Sequence, residues 1–312
     1  MLSRHGAGRD QGAMPWAPQG GLIRRTIDTG ARLLGVRPSP PSPGAAPPPT
    51  LPATEPEPPV APSAPPLRAC HRRAWADRLW GEGMALPGGA PEVLRLAALL
   101  PLSPESTLLL AGNGAAAAGD VVAGGRGCFV AAFEPGAPAG ARPARRRVTT
   151  EPLDPAAPGF RARFHHHALL LEPLRAGISP DGLLAATAAG LRPGGQLVLM
   201  DLVARGMPAG AAEARWLAAE GRPEPPAEVA LPAALQRAGF DIHVVEDLGR
   251  RHRDAVLSSW QALMVALRDE PTRPAAPEAA DLVAEAEAWL LRLRLMQEGR
   301  LRLLRWHASM TR

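Results

Sequence analysis

"LLLAGNGAAAAGD", Leu108 to Asp120, is the stretch whose reading decides the fold. Three leucines and an alanine make a short apolar run, which reads as a buried strand. The run ends in Gly112-Asn113-Gly114, and helix-forming alanines follow at once. A strand, a glycine turn and a helix in that order build the loop that carries nucleotide-like ligands in doubly wound folds. Glycine is needed there because the turn uses backbone angles closed to other residues, and because the ligand meets bare backbone. Alanine in a first helical turn is favourable, so the loop closes if Gly112 and Gly114 alone take the unusual angles.

The pattern continues on both sides. A helix over Ala74–Trp80 leads into the loop "WGEGMALPGG", and a second helix covers Ala90–Leu100. After the glycine turn, "GCFVAAFE" is a second strand. It ends at Glu134, 22 positions after Gly112, where a carboxylate can accept both hydroxyl protons of a ribose. "VTT" is a short third strand and "FRARFHHHALLL" holds a fourth. Ser179-Pro180 caps a helix that runs to about Leu191. "RPGG" is a turn, and "QLVLMDLV" is a fifth strand. A helix near Leu231–Ala238, a strand "FDIHVVEDL", two long helices around Ala255–Leu267 and Ala279–Leu295, and a last strand "RLRLLRWHA" complete the chain. Strands alternating with helices predict an α/β, doubly wound, Rossmann-like parallel sheet. The apolar side of the last long helix, with Trp289, Leu290 and Leu293, reads as a docked core face or a dimer face.

Composition narrows the function. The 312 residues suit one large domain with a tail. Hydrophobic residues make up 46% of the chain, while aromatics are only 4%, so the core rests on Leu, Val and Ala. There is no lysine, and all 35 basic residues are arginine, scattered among 30 acids. A net charge of +5 in that distribution builds no basic stripe, so no nucleic-acid partner is expected. Two cysteines, Cys70 and Cys128, make no disulfide framework, and no spacing resembles a zinc site. With no signal-peptide core at the start and no apolar run near the ~18 residues of a membrane span, the expected location is cytoplasmic.

Residues 38–66 hold 14 of the 37 prolines. Proline lacks the donor that helices and sheets require, so residues 1–67 are expected to form a disordered, Pro/Ala-rich arm ahead of a single domain over 68–312. Within the arm, residues 21–37 place Ile23, Ile27, Ala31 and Leu34 at helical spacing among Arg24, Arg25 and Arg32. Such a basic amphipathic helix gives peripheral contact with a membrane surface or a partner, or is a weak helix in a tail.

Six stretches, "LWGEGMALPGG", "LLLAGNG", "CFVAAFE", "LRPGGQLVLMDLV", "LQRAGFDIHVVEDL" and "EGRLRLLRWHA", run in the order found in the class I S-adenosylmethionine-dependent methyltransferases. Over roughly Ala74–Ala308 the chain resembles that family, and more narrowly its bacterial small-molecule and lipid-modifying branch. The resemblance implies a mostly parallel seven-stranded sheet ending in an antiparallel hairpin. It implies S-adenosylmethionine as cofactor and a small-molecule or lipid-like acceptor. By position, Gly112 and Gly114 would lie against the methionine part of the cofactor, with Asn113 between them a neutral substitute for a missing acid. Glu134 would hold the ribose, Asp154 (or Glu151) would contact the adenine, and Trp80 and Glu82 would sit in a covering loop.

The departures are specific. The family's acid two residues before the first glycine is Leu110 here, its later glycines align with Ala116 and Ala117, and its fourth strand, often opened by Asp, begins with Arg161. A missing charged hydrogen bond costs roughly 1.5–3 kcal/mol, so the pocket either binds weakly or serves an inactive scaffold or ligand-sensing module. By the same resemblance His165–His167 would line the end of the fourth strand, where His166 or His167 would act as general base. A metal reading of the three histidines puts His165 and His167 on one strand face, and no third ligand is evident.

Overall fold

The computed structural model describes residues 67–137, 147–206 and 210–311. The expectations for the arm over residues 1–66, its 21–37 helix included, fall outside the described residues. In chain order the elements are α1 (Leu67–Trp80), α2 (Gly89–Ala97), β1 (Thr107–Gly112), α3 (Ala115–Arg126), β2 (Phe129–Glu134), β3 (Val148–Pro152) and β4 (His165–Leu171). A 3-10 turn (Pro173–Ala176), α4 (Pro180–Gly190), β5 (Leu191–Ala204), α5 (Ala211–Glu220) and α6 (Ala230–Arg237) follow. The chain then forms β6 (Phe240–Asp247), α7 (Gly249–Asp269), α8 (Ala276–Gln297) and β7 (Leu301–Met310).

The seven strands form one sheet in the order β3-β2-β1-β4-β5-β7-β6. The first five pair in parallel, and β7 runs antiparallel to both β5 and β6. This is the doubly wound sheet that the alternating elements predict, with the closing hairpin that the resemblance implies. The strand order reverses between β1 and β4, and ligands of open α/β sheets bind outside the carboxyl ends of the strands at such a switch.

β1 shows why its residues make a two-sided strand. Leu108 and Leu110 enter the core beneath α1, α2, α3, α5, α7 and α8, while Leu109 and Ala111 enter the opposite core beneath α4 and α6. Both faces are buried, so a parallel strand reads as an unbroken apolar run. Gly119 lets α3 lie close to the sheet: a methyl there would stand 3.2 Å from a Val130 methyl and 3.3 Å from one of Val148. The "RPGG" turn survives as an excursion inside β5. Leu191 pairs with His165 and Gln196 with His167, so the intervening residues loop out, with Gly194 at φ +75°.

On α8, Trp289 and Leu293 are buried, which settles its apolar side as a core face. The Trp75 indole donates to the Glu278 carbonyl oxygen at 3.0 Å, tying α1 to that helix. Helix α5 was not expected from the sequence. It lies on the same side of the sheet and is pinned by Trp216, which is 1% exposed. No helix among the described residues is long and apolar enough to cross a membrane.

Two glycines on either side of α3's start give opposite predictions. Gly112 has φ +136°, and a Cβ there would collide with the Leu171 carbonyl oxygen. Gly112→Ala should cost at least about 3 kcal/mol or prevent folding. Gly124→Ala, on the exposed side of α3, should raise stability by about 0.5–1 kcal/mol. Urea denaturation of the two variants checks both signs.

Candidate functional site

The site is built where β1, β2, β3 and β4 end together. Gly112 closes β1 opposite Leu171, the last residue of β4. Gly114 follows at φ +72° as the N-cap of α3, with Asn113 half-buried between the two glycines. A side chain at Gly114 would stand 2.8 Å from the Gly83 carbonyl oxygen and 2.9 Å from the Ala85 nitrogen. The loop Gly81–Gly88 therefore lies across the glycine turn. It is held from below by the Asp77 carboxylate, which accepts the Gly83 N–H at 2.7 Å. Trp80, at the loop's start, is buried edge-on against Trp289, with ring centroids 5.1 Å apart, while Glu82 is exposed.

Glu134 ends β2 and points back at the turn. One of its carboxylate oxygens accepts the Gly114 N–H at 3.2 Å and the other accepts the Ala116 N–H at 3.1 Å. Its carbonyl oxygen accepts the Leu153 N–H at 3.0 Å, which brings the segment after β3 alongside. Asp154 is exposed in that segment, and its carboxylate accepts the Ala156 N–H at 2.9 Å. Glu151 is also exposed, within β3 and paired with Phe133. Gly112, Asn113, Gly114, Glu134 and the Asp154 loop thus converge on one edge of the sheet.

Leu110, at the position where the resemblance places an acid, is fully buried beside Ala132 and Leu169. Leu110→Asp would bury a lone carboxylate and remove a core side chain. A loss of about 3–5 kcal/mol in chemical denaturation is expected.

The histidines require a correction. His165–His167 open β4 rather than end it, because the chain before them is a turn, with Arg163 at φ +48°, and the strand's interior is the apolar "ALLL". The same turn holds Arg161, so the residue expected to open the strand lies ahead of it. His167 pairs with Leu108 while Leu171 pairs with Gly112. Four residues of strand, about 13 Å, therefore separate His167 from the glycine turn. The His166 Nδ1 accepts the Thr107 N–H at 2.9 Å, and its Nε2 lies 2.8 Å from the Arg192 guanidinium. The His167 Nδ1 accepts the Gln196 N–H at 3.2 Å. His166 and His167 are thus structural groups at the amino end of the sheet, away from any general-base position at the turn. Among the described residues no group of three or more potential ligands could hold a metal ion.

What the sequence reading missed is a buried ionic cluster at the carboxyl ends of β4 and β5. Glu172 follows β4 and accepts a hydrogen bond from Arg292 of α8 at 2.5 Å. The Arg222 guanidinium stands 3.6–3.9 Å from carboxylate oxygens of Glu172, Asp201 and Glu220. Arg292 also reaches Glu220 at 3.6 Å, and Arg175 reaches it at 3.8 Å. The side chains of Arg222 and Arg292 have no exposure at all. Trp216 and Trp289 lie under the two guanidinium groups, at 5.3 and 4.9 Å. One signal was available: an acid inside "LVLMDLV" and an arginine on the apolar side of "WLLRLRL" are each expected to be paired if buried.

The cluster sets two opposed pH dependences. Burial works against ionising Glu172, but attraction and a hydrogen bond from Arg292, with Arg222 and Arg175, hold it down at about 2. Burial, opposed by Arg222 and reinforced by Glu172, raises Asp201 to about 7. The stability from Glu172 is complete above its ordinary value of 4.5 and lost as pH falls toward about 2. The stability from protonated Asp201 is complete below its ordinary value of 3.8 and lost as pH rises toward about 7. Thermal unfolding should therefore show a rising limb from pH 8 to about pH 5 and a falling limb below pH 4.5. Asp201→Asn should flatten the first limb and Glu172→Gln the second, whatever each does to absolute stability.

Comparison of the sequence with protein-family models and with curated proteins finds no match. Solved structures do match the fold. Phosphoethanolamine N-methyltransferase 2 of Haemonchus contortus, solved with S-adenosyl-L-methionine, superposes with a TM-score of 0.61 at 14% identity, covering 77% of this chain. This chain spans 60% of that one, less than two thirds of its length. Geranyl diphosphate C-methyltransferase from Streptomyces coelicolor A3(2) superposes with a TM-score of 0.54 at 16% identity, covering 71% of this chain and 77% of its own. The [4+2]-cyclase SpnF gives 0.52 at 18% identity, over 74% and 85%. With its strand order, its closing hairpin and its glycine turn at the switch point, the chain has the class I S-adenosylmethionine-dependent methyltransferase fold.

Proposed function

We propose that this chain is an S-adenosylmethionine-dependent methyltransferase with a small-molecule or lipid-like acceptor. The observation that carries the reading is the convergence of the Gly112–Gly114 turn and the Glu134 carboxylate at the switch point of the sheet. Bound S-adenosylmethionine supplies an activated methyl on a sulfonium centre. The chain's part is to bind and orient, which is where most of the rate of an in-line displacement originates. On this reading Glu134 would receive the ribose hydroxyls, and Asp154 would contact the adenine amino group. Acceptors named for the neighbours, phosphoethanolamine and geranyl diphosphate, support the acceptor class.

The retained and the lost groups divide along the ligand. Glu134 and Asp154 serve the nucleoside half. Leu110 replaces the acid that serves the cationic amino group, leaving Asn113 as a neutral substitute. Binding should then be weakened by roughly one to two decades, and the amino-acid half should contribute little of what remains.

A second reading is a catalytically inactive scaffold or ligand-sensing module of the same fold. Two observations favour it: Leu110 sits in the core, and a buried cluster of Glu172, Asp201, Arg222 and Arg292 stands at the carboxyl ends of β4 and β5. A fold that also serves a [4+2]-cyclase does not by itself carry methyl transfer.

Calorimetric titration with S-adenosylmethionine separates the two. The enzyme reading expects a Kd between about 10 µM and 1 mM, with methylthioadenosine within about tenfold of it. Asp154→Ala should weaken binding about 3–10-fold without changing the melting temperature, since Asp154 is exposed. No heat at millimolar cofactor, in protein shown to be folded, removes the enzyme reading.

A further inference from the structure

Helix α3 begins without a cap of its own. Its N-cap residue is Gly114, which has no side chain, and its first turn is Ala115–Ala118. A helix start leaves four backbone N–H groups without partners, and a Ser, Thr, Asp or Asn at the cap ordinarily accepts one of them. None is present here. The acceptor comes from a different strand: Glu134, twenty residues on, takes the Gly114 N–H on one oxygen and the Ala116 N–H on the other. A carboxylate at this end of a helix is also favoured by the helix dipole.

We infer that Glu134 is a positioning residue as well as a ligand group: it is the cap of α3 and it holds the glycine turn in its closed geometry before any ligand arrives. An ionised carboxylate offers about four lone-pair sites, and the two amides use two of them. Among the described residues no other side-chain bond engages this carboxylate, so the remaining sites can take a diol, and ligand binding adds to the cap bonds and does not displace them. The alanine run belongs to the same device. With no side-chain acceptor in the first turn, nothing local competes with Glu134 for the amides. The part of the inference that concerns ligand binding rests on the cofactor reading above; the cap does not.

The test compares wild type, Glu134→Gln and Glu134→Ala without ligand and with S-adenosylmethionine. It reads melting temperature, amide hydrogen exchange over residues 112–118, and Kd. Without ligand, Glu134→Ala should lower the melting temperature by roughly 2–8 °C and speed exchange in that segment at least tenfold. Glu134→Gln, whose amide oxygen accepts one bond and whose amide nitrogen accepts none, should fall between. It also serves if the alanine variant does not fold. In wild type the cofactor should slow exchange at Gly114 and Ala116, and both variants should bind it at least tenfold more weakly. Unchanged ligand-free melting and exchange in Glu134→Ala would overturn the cap, even if cofactor binding were lost. Faster exchange at Gly114 and Ala116 on adding cofactor would overturn the additive mode. A destabilised Glu134→Ala beside a wild type that binds no cofactor keeps the cap and removes the proposed function.

Discussion

The backbone of Gly112 runs so close to the Leu171 carbonyl that no side chain fits between them, and the architecture around the turn follows from that approach. It fixes β1 against β4 at the point where the strand order reverses. It places the following turn at the carboxyl edge, from which α3 departs over the sheet. Once α3 is set there, Glu134 at the end of the next strand meets its first amides. The covering loop Gly81–Gly88 finds a second glycine, Gly114, over which it can lie. A side chain at Gly112 would push β1 from the end of β4, and one at Gly114 would lift the covering loop off the turn.

The carboxyl edge is held by two different kinds of electrostatics. At the turn, one carboxylate meets backbone amides at a helix start, with no cationic partner among the described residues. Beside it, Glu172, Glu220 and Asp201 meet Arg175, Arg222 and Arg292 in a largely buried cluster that links β4 and β5 to α5 and α8. Several of these groups stand at 3.6–3.9 Å, beyond hydrogen-bonding range. Desolvation is only partly offset at such distances, and removing one partner strands the others. The cluster therefore contributes to which arrangement the helices take more than to net stability, and Asp201 records the strain as a raised proton affinity.

Much of this was legible in the sequence because it is local. A strand, two glycines and an alanine run are neighbours along the chain, and their order alone predicts the turn. Glu134 was found by spacing, since the length of a crossover helix is nearly fixed. The closing hairpin came from the family resemblance. The histidines were misplaced for a different reason. Their strand assignment was sound, but strand direction decides function, and only the pairing of His167 with Leu108 shows which end they occupy. Glu172, Asp201, Arg222 and Arg292 are up to 120 residues apart in sequence, and no period or motif links them. Each stood out only as a polar residue in an apolar context, which signals burial without naming a partner.

The same contrast separates what each candidate group does for the fold from what it would do for a ligand. Leu110 belongs to the core as fully as Leu108 and Leu109, so an apolar side chain at this position is held by packing and leaves the turn standing. Glu134 is different, because on the inference above losing it would loosen the start of α3. A chain under no selection for the cofactor could therefore keep Glu134 for stability while shedding groups with no structural work, and Asp154 is such a group: exposed and, among the described residues, hydrogen-bonded within its own loop. Glu134 therefore serves the fold with or without a ligand, whereas Asp154 can act on binding alone. Whether Asp154 contributes to binding without contributing to folding carries more weight in deciding between a weakly binding enzyme and a scaffold.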